Sequence, residues 1–120
     1  MAHQPLDEAA VAAHWDGNAV QWISDVQAGY DRFREAYTFP AFLDFLPDIA
    51  GREVIDLGCG EGSNTRRLAA LGARMTGIDI AQRLIAEAHR QEAVRSLGIR
   101  YEHTWRNHAA LVLFVDAEKS

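Results

Sequence analysis

The stretch Val54-Ile55-Asp56-Leu57-Gly58-Cys59-Gly60-Glu61-Gly62 decides how this chain is read. Glu53 to Leu57 is a short β-rich run bounded by Gly51 and Gly58, and Ser63 to Leu71 has a helical pattern that Gly72 closes. A hydrophobic strand therefore runs into a glycine-rich turn, and the turn opens a helix. Glycines serve such a turn in two ways. They adopt backbone angles that a β-carbon forbids, and they let a ligand approach the main chain closely. Ligands of open α/β sheets bind outside the carboxyl ends of the strands, where this turn lies.

Downstream, Arg74 to Asp79 reads as a second strand. Ala81 to Leu97 reads as a long helix with Leu84, Ile85, Ala88, Ala93 and Leu97 on one face and Gly98 after it, and Ile99 to His103 as a third strand. Strands alternating with helices over short connections predict an α/β fold with a parallel sheet and right-handed crossovers. Asp79 falls at the end of the second strand, about 20 residues beyond the turn, where a carboxylate accepts the hydroxyls of an adenosine ribose. The combination points to an adenosine-bearing cofactor without saying which. A dinucleotide fingerprint is G-x-G-x-x-G. Here Gly58, Gly60 and Gly62 give G-x-G-x-G, and Ser63 stands at the fingerprint's last position. Asp56, just ahead of the turn, disfavours a nearby pyrophosphate and is compatible with a cofactor carrying ammonium and sulfonium cations. A nicotinamide-dependent oxidoreductase is thereby disfavoured.

The run V-I-D-L-G-C-G-E-G followed by G-I-D-I and a long helix resembles the nucleotide-binding half of class I S-adenosylmethionine-dependent methyltransferases, above all the branch that methylates small molecules. The resemblance is sharpest over Val54 to about His103. It implies a Rossmann-like three-layer fold, of which this chain carries the first three strands of the sheet, preceded by N-terminal helices. It implies that Gly58, Cys59 and Gly60 wrap the methionine part of S-adenosyl-L-methionine and that Asp79 takes the ribose hydroxyls. By the same resemblance Ile80 packs on the adenine and Asp56 supports the loop while facing the cofactor's amino end. Glu61 and Gly62 complete the candidate cofactor-binding set, with Glu61 read equally as a solvated loop acid. The implied reaction is methyl transfer to a small-molecule acceptor, with no metal and no covalent nucleophile. Cys59 reads as a space-filling turn residue, and no catalytic residue is identified. The alternative, from another class, is a non-catalytic binding or assembly module, or a truncated fragment without activity.

The front of the chain, residues 1–50, reads as a helical lid segment ahead of a βαβαβ core at 51–103. Asp7 caps a first helix that ends near Gly17, and Val20, Ile23, Val26 and Gln27 form a second helical stretch up to Gly29. Tyr30, Phe33, Arg34 and Tyr37 continue a helical face, and Pro40 suits the first turn of a short helix. Trp15 and Trp22 are expected to pack their helices on the sheet more than to close over a cofactor. His103 ends the third strand, with a surface role expected.

Residues 104–120 depart from the family. Thr104 to His108 lacks the acid that usually follows the third strand. The apolar run Ala109 to Val115 follows too closely to be a fourth parallel strand, since a crossover with its helix needs about 10–12 residues. Without the family's fourth strand, the first strand is expected to present an open edge through which copies self-associate. The chain therefore reads as a truncated version of a full enzyme, or as one completed by a partner chain.

Composition bounds the rest. The chain has 120 residues, of which 48% are hydrophobic and 24% charged, as in a packed globular domain. A net charge of −5 with no run of Lys or Arg argues against nucleic acid or an anionic membrane as partner. A single cysteine rules out an internal disulfide and a multi-cysteine zinc site. The N-terminus Met1-Ala2-His3-Gln4-Pro5 has no basic start and no apolar core, so no signal peptide is expected and the reading is a cytoplasmic domain.

Overall fold

Asp7 opens the first helix by turning its carboxylate back onto the chain: Oδ1 accepts the Ala9 amide at 3.0 Å. That satisfies one of the amides a helix start leaves without a partner. The structure, a computed structural model, describes residues 7–30, 32, 34–104 and 113–115. Helix α1 (Glu8–Gln27) runs unbroken through Gly17, where the sequence pattern placed a boundary. A glycine inside a helix costs about 1 kcal/mol. Burial offsets it, because Ala19 is fully buried and packs with Ile23 against Ala81 and Leu84 far along the chain.

Gly29 follows with φ +73°, and the chain then forms a π-helical turn over Arg34–Thr38 before α2 (Phe39–Phe45), which carries Pro40 in its first turn. The continuous helical face expected from Tyr30 to Tyr37 is thus not one α-helix. Tyr30 and Tyr37 are exposed, and Phe33 lies outside the described residues.

The core follows in strict alternation: β1 (Glu53–Leu57), α3 (Ser63–Ala70), β2 (Arg74–Asp79), α4 (Gln82–Arg95) and β3 (Arg100–His103). β1 pairs with β2 in parallel, from Glu53 beside Arg74 to Leu57 beside Ile78, and β2 pairs with β3 in parallel. Val54, Met75 and Tyr101 from the strands, Leu68 from α3 and Ile85 and Ala88 from α4 form one buried cluster, joined by Ile49 and by Phe42, Leu43 and Leu46. Ile55, on the other face of β1, is 39% exposed. α4 stops at Arg95 because Ser96 turns left-handed at φ 47°, so Leu97 leaves the helical face. Leu84, Ile85 and Ala88 are buried as expected, whereas Ala93 and Leu97 are exposed.

The edge of β1 expected to lie open is occupied. A short strand, β4 (Leu113–Val115), pairs with it antiparallel, setting Val115 beside Val54 and Leu113 beside Asp56, and the sheet order is β3-β2-β1-β4. An antiparallel return needs no crossover helix, so the short connection that forbids a parallel strand permits this one. The expected route to self-association is closed over these three residues. The segment Trp105–His108 and the last five residues lie outside the described ones. Among the described residues, no helix is long and apolar enough to cross a membrane.

Candidate cofactor site

The chain leaving β1 is pinned at once to the end of its neighbour. The Gly58 and Cys59 amides both donate to the Ile78 carbonyl, at 2.7 and 3.0 Å. The next link is a side chain: the Gly60 amide donates to Asp79 Oδ2 at 2.9 Å, and Asp79 Oδ1 accepts the Ala81 amide at 2.8 Å. The Asp79 carbonyl accepts the Thr104 amide at 3.0 Å. Asp79 therefore joins the turn, the start of α4 and the end of β3. Carboxylate and glycine turn share one rim.

Two glycines make this geometry available. Gly62 sits at φ +92°, and a Cβ there would fall 2.5 Å from the Tyr101 hydroxyl. At Gly77, beside Tyr101 in the β2–β3 register, a Cβ would come within 2.8 Å of the Tyr101 ring and 2.9 Å of Cys59 Sγ. The Tyr101 ring thus crosses β2 where no side chain stands.

Above the turn lies a cavity of about 430 Å³. The strand ends and the turn contribute Leu57, Gly58, Gly60, Ile78, Asp79 and Ile80 to it, with Leu84 and Thr104 at its sides. α1 supplies the third wall through Val11, Trp15 and Trp22. The two indoles meet edge to face, 5.8 Å between ring centres. The expectation that they pack α1 onto the sheet does not hold. Both are more than a third exposed, and Ala19 and Ile23 make the buried contact instead.

Of the sequence-derived candidates, Gly58, Gly60, Asp79 and Ile80 line this cavity. Cys59 and Gly62 belong to the same turn but face Gly77 and Tyr101. Burial first, then the Asp56 and Asp79 charges, push the Cys59 thiol well above its ordinary range, which suits a packing residue and not a nucleophile. Asp56 turns away toward α3, where its Oδ2 accepts the Thr65 hydroxyl at 2.8 Å. Burial raises its pKa, the Thr65 hydrogen bond opposes that, and Asp79 adds to it.

Glu61 is neither a solvated acid nor a cavity wall. It is 2% exposed. Its Oε1 accepts the Ser63 amide at 2.8 Å at the head of α3, and its Oε2 pairs with Arg66 at 2.8 Å and accepts from Gln27 at 3.2 Å. Every donor it can reach is internal, which is what a buried carboxylate requires. His103 is exposed at the end of β3, with a ring nitrogen 3.0 Å from the Ile80 carbonyl. Among the described residues, no group of His, Cys, Asp and Glu is placed to hold a metal ion.

The family described as "Methyltransferase domain" matches residues 54–114, just over half of the chain. A ubiquinone biosynthesis O-methyltransferase from Pseudoalteromonas translucida is 29% identical over 103 residues, covering 82% of this chain and 42% of that protein. A demethylmenaquinone methyltransferase from Tropheryma whipplei is 38% identical over 89 residues, covering 68% and 35% respectively. The chain thus spans less than half the length of either relative. A solved TehB-like S-adenosylmethionine-dependent methyltransferase from Corynebacterium glutamicum superposes with a TM-score of 0.52 at 27% identity, covering 77% of this chain and 45% of that one. The chain belongs to the methyltransferase domain family.

Proposed function

We propose that this chain supplies the S-adenosyl-L-methionine-binding half of a methyltransferase that acts on a small-molecule acceptor. The observation that carries the reading is the Asp79 carboxylate bonded to the Gly60 amide at the rim of an open, largely apolar cavity. The residues fit the cofactor. A volume of about 430 Å³ is within the range of small-ligand pockets. Gly58 and Gly60 offer bare backbone, and Trp15, Trp22, Ile80 and Leu84 offer apolar walls for an adenine. Each Asp79 oxygen accepts one backbone amide and keeps a further lone pair for a ribose hydroxyl. The turn, with Asp56 and Cys59 behind it and Glu61 and Gly62 fixing its exit, shapes the methionine end.

When bound, the cofactor supplies an electrophilic methyl group on a sulfonium. The chain's own part is to orient that group and keep water from it. Residues 51–103 form the binding core. Of the front segment at 1–50, α1 acts as the lid, whereas α2 and Ile49 pack into the core cluster. The two relatives are named for ubiquinone biosynthesis and demethylmenaquinone methylation, which supports a small-molecule acceptor.

Titration calorimetry with S-adenosylhomocysteine and with NAD tests the reading. One-to-one binding of the first and none of the second supports it, and the reverse overturns it. The alternative reading is a binding module without transfer of its own. Binding with no radiolabelled methyl passed to a catechol or quinol acceptor would select that one.

A further inference from the structure

Gln27, the last residue of α1, stands where three elements meet. Its Nε2 donates to Glu61 Oε2 at 3.2 Å, 34 residues away, and to Glu87 Oε2 at 2.9 Å, 60 residues away. Both neighbours are carboxylates, so only the amide nitrogen, with its two hydrogens, can face them; the carbonyl oxygen would meet two acceptors. Each carboxylate is itself fixed. Glu61 is held by Ser63 and Arg66 at the exit of the glycine turn, and Glu87 by Arg90 and Gln91 on α4. One neutral side chain therefore couples the end of α1 to the turn and to α4.

Further along α1, the Asp16 carboxylate accepts the Arg83 amide at 2.9 Å, and Ala19 and Ile23 pack on Ala81 and Leu84. Trp15 and Trp22 lie on the same helix and wall the cavity, with the Trp22 indole nitrogen 3.9 Å from where a Gly60 Cβ would stand. Beyond Gln27, Gly29 breaks the helix at φ +73°.

We propose that Gln27 is a positioning residue: its double hydrogen bond latches α1 to the glycine turn and so sets how closely Trp15 and Trp22 cover the cofactor cavity. As a statement about ligand binding this rests on the cofactor reading above; as a statement about α1 it does not.

The test uses the full chain in a Trp105→Phe background, so that fluorescence reports Trp15 and Trp22 alone. Gln27→Leu removes the donor and Gln27→Lys restores one, and the two side chains have similar helix propensities. Without ligand, acrylamide should quench Gln27→Leu more than the parent and Gln27→Lys as the parent. With ligand, Gln27→Leu should bind S-adenosylhomocysteine about tenfold more weakly, the scale of a hydrogen bond to a charged group, and Gln27→Lys should recover most of that. Should Gln27→Leu fail to fold, Gln27→Asn, one methylene too short to span both carboxylates, takes its place. Equal quenching across the series, or equal loss in the Leu and Lys variants, overturns the latch. If the parent itself binds no S-adenosylhomocysteine, the cofactor reading fails, and the quenching series still decides on Gln27.

Discussion

Asp79 Oδ2 lies 2.9 Å from the Gly60 amide, so one carboxylate at the end of β2 ties down the turn that leaves β1. Two strands adjacent in the sheet thereby share a functional rim. The same carboxylate accepts the Ala81 amide through its other oxygen. Orientation of the acid, shape of the turn and start of α4 are set together.

Removing that acid should damage binding on two counts. Asp79→Ala is expected to weaken S-adenosylhomocysteine binding by about 1–3 kcal/mol, the scale of hydrogen bonds to a charged group, and to lower stability as the Gly60 and Ala81 amides lose their acceptor. Asp79→Asn keeps one carbonyl acceptor and should lose less. Calorimetry with paired urea melts separates the effects; unchanged affinity in both variants would count against the assignment.

Cys59 should be inert in the folded chain. Burial and the carboxylates Asp56 and Asp79 hold its thiol protonated at neutral pH. Reaction with a disulfide reagent at pH 8 should run at least about tenfold slower in the native protein than in urea, since one pKa unit changes thiolate population tenfold. Equal rates in the two states would show the thiol exposed.

Gly77 should tolerate no side chain. Its added Cβ would stand 2.8 Å from the Tyr101 ring and 2.9 Å from Cys59 Sγ, both in the packed interior. Gly77→Ala is expected to cost about 1–3 kcal/mol by urea denaturation, as overpacking does. Adding Cys59→Ala, which removes the sulfur, should return part of the loss.

Acid should weaken the fold in part through Glu87. Burial would raise its carboxyl, but hydrogen bonds from Arg90, Gln91 and Gln27 outweigh that and hold it at about 2, against an ordinary 4.5. A depressed carboxyl stabilises the fold above its unfolded pKa, so this contribution is complete above about pH 4.5 and fades as pH falls toward 2. Asp56 has the opposite sign, because its raised pKa makes the charged form the costly one. Urea midpoints measured against pH should lose part of their acid slope in Glu87→Gln, while Asp56→Asn, which still accepts from Thr65, should raise the midpoint at pH 7.

The elements that bind the proposed cofactor are written locally. Glu53–Leu57 and Arg74–Asp79 alternate or cluster apolar residues between glycines, and Asp79 follows the turn at a fixed interval, so their bounds and their meeting are legible without tertiary information. What was not legible depends on distant partners. Gly17 marks a break by propensity, yet Ala19 and Ile23 find Ala81 and Leu84 and hold the helix together. Glu61 looks like a loop acid until Arg66 and Gln27 close around it, the latter from 34 residues earlier in the chain. Trp15 and Trp22 fit a core face equally well, and only the line α1 takes across α4 turns them toward the cavity. The antiparallel β4 carries no periodic signal in three residues; only the short spacing from β3 hinted that a parallel strand was ruled out.

β1 is held on both flanks. Five of its residues run beside β2, and among the described residues the β4 register covers Val54 to Asp56. Leu57, which hands the chain to the glycine turn, runs beside Ile78. A central strand held from both sides opens late, so deuterium uptake by the Val54–Asp56 amides should lag behind uptake at the mouth of the crevice and mark the point at which the sheet as a whole lets go.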